Sequence, residues 1–275
     1  MNTIFESQTI KELVRSRYAE IAEGRYAPGS FAQDADTDQL AAAVGYEASR
    51  LAMAPEGANL GLSCGNPLAA VEVQKGQTVL DLGSGGGLDV FLAGLMVKES
   101  GRAIGVDMTP QMLEKARGNI RQYRERTGLD NVEFRLGEIE HLPVADNSVD
   151  VVVANCVISL ATDKNQVWSE VYRTLKPGGQ VSVTDLALLK PLPEHVCSLN
   201  DAIVGCVAGA VLVEVTQAML EKTGFHNIQL RPQPEYVQGM LQWNGPMYHN
   251  IAYALPEGET MADYIVSLSI TARKP

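Results

Sequence analysis

The chain has 275 residues, of which 45% are hydrophobic, and a formal charge of −11 at pH 7. That length and apolar content suit one elaborated domain of about 250 residues plus an appendage, and exclude a chain dominated by disorder. The acidic balance, with no run of clustered Lys and Arg, excludes a broad nucleic-acid footprint.

The first 22 residues mix acids with apolar positions and lack the basic start and apolar stretch of a secretory signal, so an amphipathic helix is predicted over 7–22. A polar connection and a second short helix around 38–53 follow. The segment PEGANLGLSCGNP (55–67) has five Gly or Pro among thirteen residues and reads as a shaped loop. Residues 1–70 are accordingly expected to form a helical leader and lid. Residues 71–275 are expected to form the main domain, with insertions on the substrate side at about 187–215 and 232–263.

From residue 77 onward, apolar strands alternate with helical periods. Strands are predicted at 78–82, 103–107, 132–136, 149–154, 180–186 and 226–231, and helices at 88–98, 110–126, 163–175 and 215–223. Pro110 is placed as a first helical residue, and KPGG (176–179) stops the helix that ends at Leu175. YIVSLSITARKP (264–275) alternates like an antiparallel edge or inserted strand. The expectation is an α/β fold with a doubly wound, mostly parallel, seven-stranded sheet. Between Arg231 and Asp263 an irregular insertion carries Tyr236, Trp243, Tyr248 and Tyr253. The longest apolar stretch, 149–161, is too short to cross a bilayer, so no membrane partner is expected. Four cysteines without a CxxC pair point to a reducing, cytoplasmic setting.

The most specific motif is DLGSGGG (81–87), between a predicted strand and a predicted helix, with Asp107 twenty residues past its last glycine. A dinucleotide fingerprint needs a third glycine where this chain has Leu88. A carboxylate at the mouth of the loop would repel a pyrophosphate, whereas Asp81 would attract the ammonium of a methionine moiety. Asp107 is placed to accept from ribose hydroxyls. The pattern therefore points to S-adenosylmethionine, bound by Asp81, Gly83, Ser84, Gly85, Asp107 and Met108, with Glu138 and Ile139 after the third strand and Asn155 after the fourth bordering the same crevice.

For the acceptor, Asn155 is followed by Cys156-Val157-Ile158 rather than by the Pro-Pro-Tyr that holds a planar nitrogen. Cys206 follows the fifth strand on the same side, and Cys64 sits in the glycine-rich loop. Each alone reads as core filler; the set suits a thiophilic centre, while its spacing excludes a structural zinc site and no metal cofactor is expected. The four histidines show no ligand or triad spacing.

PEGANLGLSCGNP, VLDLGSGGG, IGVDMTPQMLEKAR, VEFRLGEIEHLPVADNSVDVVVANCVI, LKPGG and VGCVAGA together resemble the arsenite methyltransferase family over residues 8–230. The resemblance implies a Rossmann-like methyltransferase that holds trivalent arsenic through Cys64, Cys156 and Cys206 and methylates it from S-adenosylmethionine. It also implies that Tyr18 closes over the methionine end of the donor, and that thioredoxin or glutathione serves as reductant. Residues 1–63 carry no cysteine, Ser159 stands where the family has asparagine, and VLVEVT replaces the usual continuation of GCVAGA. Similar scaffolds S-methylate fungal dithiols of the gliotoxin type, so a small-molecule thiol is the alternative acceptor. Donor binding or arsenical sequestration without turnover is a third reading.

Overall fold

The computed structural model describes residues 2–25, 36–240 and 246–275. Five strands, β1 (Thr78–Leu82), β2 (Arg102–Asp107), β3 (Val132–Leu136), β4 (Val149–Asn155) and β5 (Leu175–Leu188), run parallel. Two more, β6 (His226–Gln233) and β7 (Ile265–Arg273), pair antiparallel, and the sheet order is β3-β2-β1-β4-β5-β7-β6. β7 is thus the inserted strand rather than the edge. Strand order reverses between β1 and β4, which opens a crevice at their carboxyl ends. The valines of β4, buried on both sheet faces, give the continuous apolar run that a central parallel strand requires.

The helices are α1 (Asn2–Ala22), α2 (Thr37–Ala43), α3 (Ala48–Leu51), α4 (Leu88–Val97), α5 (Pro110–Thr127), α6 (Lys164–Thr174), α7 (Glu194–Cys197), α8 (Asn200–Val204), α9 (Val213–Thr223), α10 (Pro234–Met240) and α11 (Pro246–Tyr253). Three local expectations are corrected. The helix expected over 38–53 is split into α2 and α3, with Gly45 at φ 96° between them. The KPGG segment lies inside β5: Leu175 pairs with Val149, and the ladder resumes at Val151 with Gln180, so residues 176–179 bulge out. Among its described residues the late insertion carries two helices, α10 and α11, where irregular chain was expected. Its aromatic residues are indifferent helix formers, and burial of Val237, Met247, Tyr248 and Ile251 beside α8 and β7 supplies what propensity does not. Trp243 lies outside the described residues, and Tyr253 is exposed. Among the described residues no helix is long and apolar enough to cross a membrane.

The loop before β1 is tied down across three strands. The Cys64 amide donates to Asn155 Oδ1 of β4 (3.0 Å), and Asn155 Nδ2 donates to the Gly65 carbonyl (2.8 Å). Ser182 Oγ of β5 donates to the Pro67 carbonyl (2.7 Å), and Ser267 Oγ of β7 to the Cys64 carbonyl (2.8 Å). These bonds satisfy backbone groups that would otherwise be buried without partners, which explains polar residues inside apolar strands. Gly65 lets the backbone approach this closely, since a Cβ there would lie 2.2 Å from Thr184 Cγ2. Gly65→Ala is expected to cost about 1–3 kcal/mol by overpacking, measured by denaturant unfolding. Thr184→Ala in the same chain should return part of that loss.

Candidate active site

A cleft of about 1040 Å³, including its open mouth, lies over the carboxyl ends of β1, β2 and β4 and is bordered by Lys11, Val14 and Tyr18 of α1. Of the residues expected there, Tyr18, Asp81, Gly83, Ser84, Gly85, Asp107, Met108, Ile139, Asn155 and Cys156 line it. Glu138 does not. Its carboxylate turns to the leader helix, paired with Lys11 Nζ at 2.7 Å and Arg15 Nη2 at 3.3 Å, and the hydrogen bond from Lys11 holds it below its ordinary pKa. Lys11 also reaches buried Glu140 at 3.0 Å, so these ion pairs latch α1 beside the cleft. The latch joins residues 127 positions apart, a pairing that no local pattern announces.

The floor of the cleft is acidic. Asp81, Asp89 and Asp107 are all buried. Burial first, then the charges of Asp89 and Asp107, pushes Asp81 well above the carboxylate range. Burial lifts Asp89 from 3.8 to about 6, against hydrogen bonds from Tyr46 and Asn155 that lower it. Asp107 is also raised by burial, although it accepts from the Gly85 amide (2.9 Å) and the Thr109 amide (2.8 Å). Sequence reasoning missed Asp89, which reads as an ordinary first-turn acid of α4.

Beyond Cys156 a second, smaller chamber of about 350 Å³, including its opening, is lined by Tyr18, Cys156, Cys206, Tyr236 and Tyr248 with Gly61, Leu62 and Gly205. Tyr18, Leu62 and Cys156 belong to both spaces. Cys64 is fully buried behind this wall, its thiol 3.3 Å from the Thr184 carbonyl and 3.5 Å from Asn155 Oδ1. The Cys206 thiol donates to the Cys156 carbonyl (3.2 Å). Cys156 stands in the middle, near enough to both other thiols for each to shift its titration. All four cysteines are free, and Cys197 is exposed on α7. Among the described residues no group of three His, Cys, Asp or Glu side chains is arranged to hold a metal ion.

Cys156 and Cys206 both take left-handed backbone conformations, at φ 54° and 65°, a strain of order 1–3 kcal/mol each. For Cys156 the strain is held by Asp185 of β5, whose carboxylate accepts from the amides of Val157 (3.1 Å), Ile158 (2.7 Å) and Ser159 (3.2 Å) and from Ser159 Oγ (2.7 Å). Ser159 is therefore a working partner in the turn that sets the Cys156 backbone. The Cys156 thiol is acidified by its contact with Cys206, but its contact with Cys64, burial and the charges of Cys64 and Asp185 together carry it well above the ordinary value. Cys206 is raised by its contact with Cys156 and by burial, and Cys64 by burial.

Known proteins with this combination are consistent in kind. A methyltransferase-domain family model matches residues 73–243. An arsenite methyltransferase of Halobacterium salinarum is 41% identical over 281 residues, covering 98% of this chain and 68% of its own length. The chain belongs to the arsenite methyltransferase family. An arsenite methyltransferase of Aquipseudomonas alcaligenes is 39% identical over 61% of this chain, which spans only 49% of that relative. Among solved structures, an arsenic(III) S-adenosylmethionine methyltransferase from Chlamydomonas reinhardtii superposes with TM-score 0.61 at 30% identity, over 86% of this chain and 73% of that one. A Haemonchus contortus phosphoethanolamine N-methyltransferase in complex with S-adenosylmethionine shares the fold, with TM-score 0.57 at 22% identity over 74% of this chain and 50% of that one.

The methyltransferase takes S-adenosylmethionine as its methyl donor, and its cleft suits that group. Asp81 Oδ1 and Ser84 Oγ are buried without a hydrogen-bond partner, and an unsatisfied carboxylate oxygen beside two further buried acids calls for a cationic ligand. The glycine loop is narrow where the leader crosses it: a Cβ on Gly86 would lie 2.7 Å from the Ala58 carbonyl. A cationic donor favours the charged forms of the acids, so its affinity should be highest above the Asp89 pKa of about 6 and weaken as pH falls through that value. Without donor, the native state binds protons between 3.8 and about 6 that the unfolded chain does not, so its stability falls as pH rises across that window. Calorimetric titration of S-adenosylmethionine across the window checks the first trend. Asp81→Asn should lower donor affinity about tenfold at neutral pH.

Proposed function

We propose that the methyltransferase acts on trivalent arsenic held by Cys64, Cys156 and Cys206. The observation that carries this reading is the place of Cys156, a thiol in the wall common to the donor cleft and the tyrosine-lined chamber, with Cys206 bonded to its carbonyl and Cys64 buried nearby. Soft sulfur ligands suit a thiophilic centre, and the raised thiol pKa values fit a neutral substrate. Each thiol condenses with one hydroxyl of arsenous acid, forming an As–S bond and releasing one water, so no net charge enters the apolar chamber. The bound donor supplies an electrophilic methyl carbon on a cationic sulfur. Cys156 and Cys206 hold the arsenic lone pair toward the cleft, and Tyr18, Tyr236 and Tyr248 exclude water from the junction. Glutathione or thioredoxin thiols would return any oxidised cysteine pair to the reduced state.

The competing reading, S-methylation of a small organic thiol, draws on the lack of a ready three-ligand cage among the described residues. In that case Cys156 and Cys206 are packing groups. The two readings separate in a labelled-donor assay offering arsenite and a reduced dithiol in parallel. Cys156→Ser and Cys206→Ser should each lower arsenite-dependent transfer at least about 100-fold while leaving donor affinity within about threefold. Turnover of arsenite surviving both substitutions, or dithiol turnover alone, would overturn the arsenic assignment.

A further inference from the structure

We infer that Tyr46 and Asn155 are positioning residues that convey donor occupancy of the cleft to the backbone of the Cys64 loop. The inference depends on the reading above only for what Cys64 holds. Tyr46 Oη lies 2.8 and 3.0 Å from the two carboxylate oxygens of Asp89, and Asn155 Nδ2 lies 2.9 Å from Tyr46 Oη. Asn155 continues to Cys64 and Gly65 through the bonds already described. Asp89, the second residue of α4, lines the donor cleft, whereas Cys64 does not. The two are joined by three consecutive hydrogen bonds through buried or half-buried side chains from three separate parts of the chain.

The direction of the chain is set by its far end. The Gly65 carbonyl only accepts and the Cys64 amide only donates, which fixes the Asn155 amide with Nδ2 toward Gly65 and Oδ1 toward Cys64. The second Nδ2 hydrogen then faces the Tyr46 oxygen and Asp89, and the Tyr46 oxygen, which also accepts from Ser63, sends its own proton to the Asp89 carboxylate. A positive charge in the cleft keeps Asp89 ionised, and an ionised acceptor makes the shorter and stronger bond. A hydroxyl that donates strongly also accepts better, so the Asn155 plane is held more firmly and with it the Cys64 amide. Coupling of this kind is reciprocal: whatever occupies the Cys64 thiol tightens donor binding by the same factor.

The test is amide exchange at Cys64, resolved to the residue, with and without saturating S-adenosylmethionine. Wild type should slow about tenfold with donor. Tyr46→Phe removes only the hydroxyl; it should still bind donor yet slow less than about twofold. Asp89→Asn keeps an oxygen for Tyr46 but removes the charge, and it too should lose the effect, giving a second variant should Tyr46→Phe unfold. In parallel, calorimetry of arsenite with and without donor should show about fivefold or greater tightening in wild type and none in Tyr46→Phe. Equal slowing in wild type and both variants, or no slowing in wild type, overturns the inference. Failure of arsenite to bind wild type while the exchange pattern holds overturns the acceptor assignment and leaves this inference standing.

Discussion

The architecture of the site depends on one constraint: a glycine-bearing loop must lie flat against the sheet with its backbone hydrogen bonds satisfied. Asn155, Ser182 and Ser267, from three adjacent strands, meet the carbonyls and amide of residues 64–67, and Gly65 provides the clearance over Thr184. Without these side chains the loop would bury unpaired polar groups at a cost of about 1–3 kcal/mol each. With them, Cys64 is brought to the inner side of the wall that Cys156 presents to the donor cleft. The leader then folds back over this wall and is latched through Lys11 and Arg15.

Two electrostatic environments meet at that wall. On the cleft side, three buried aspartates are raised toward their neutral forms by burial, and a cationic ligand would favour their charged forms. On the chamber side, thiols and tyrosine hydroxyls are pushed toward their neutral forms by burial and by one another. The proposed transfer from a charged donor to a soft, neutral centre would use this division, because the acids lie on the side proposed for the departing group. The strained backbones at Cys156 and Cys206 belong to the same design, since the capping by Asp185 lets β4 end in a turn that points a sulfur into the shared wall.

Much of this was legible in the sequence. The period of apolar residues gave the strands of the parallel sheet to within a residue or two, apart from the early start of β5, because a buried parallel strand must be continuously apolar and its flanking helices amphipathic. The glycine loop and Asp107 were readable because a tight strand-to-helix turn and an acid at the next strand end lie within one local unit. The resemblance to arsenite methyltransferases followed from motifs of the same local kind. Less was legible where apolar burial overrides weak propensity: α10 and α11 look irregular in sequence because tyrosine and valine are poor helix formers, and only packing beside α8 and β7 decides their conformation.

The sequence by itself therefore determined the fold class, the glycine loop between strand and helix and the inventory of thiols, all of which are properties of short segments with their own periodicity or backbone demands. Tertiary structure alone decided which groups meet. Glu138 faces a lysine 127 positions away rather than the cleft, Asp89 becomes part of an acid cluster, and Tyr46 finds Asn155 across 109 residues. Hydrogen bonds and ion pairs between remote segments leave no periodic trace in a single chain, because their partners are selected by where the sheet and loops place them, not by distance along the backbone.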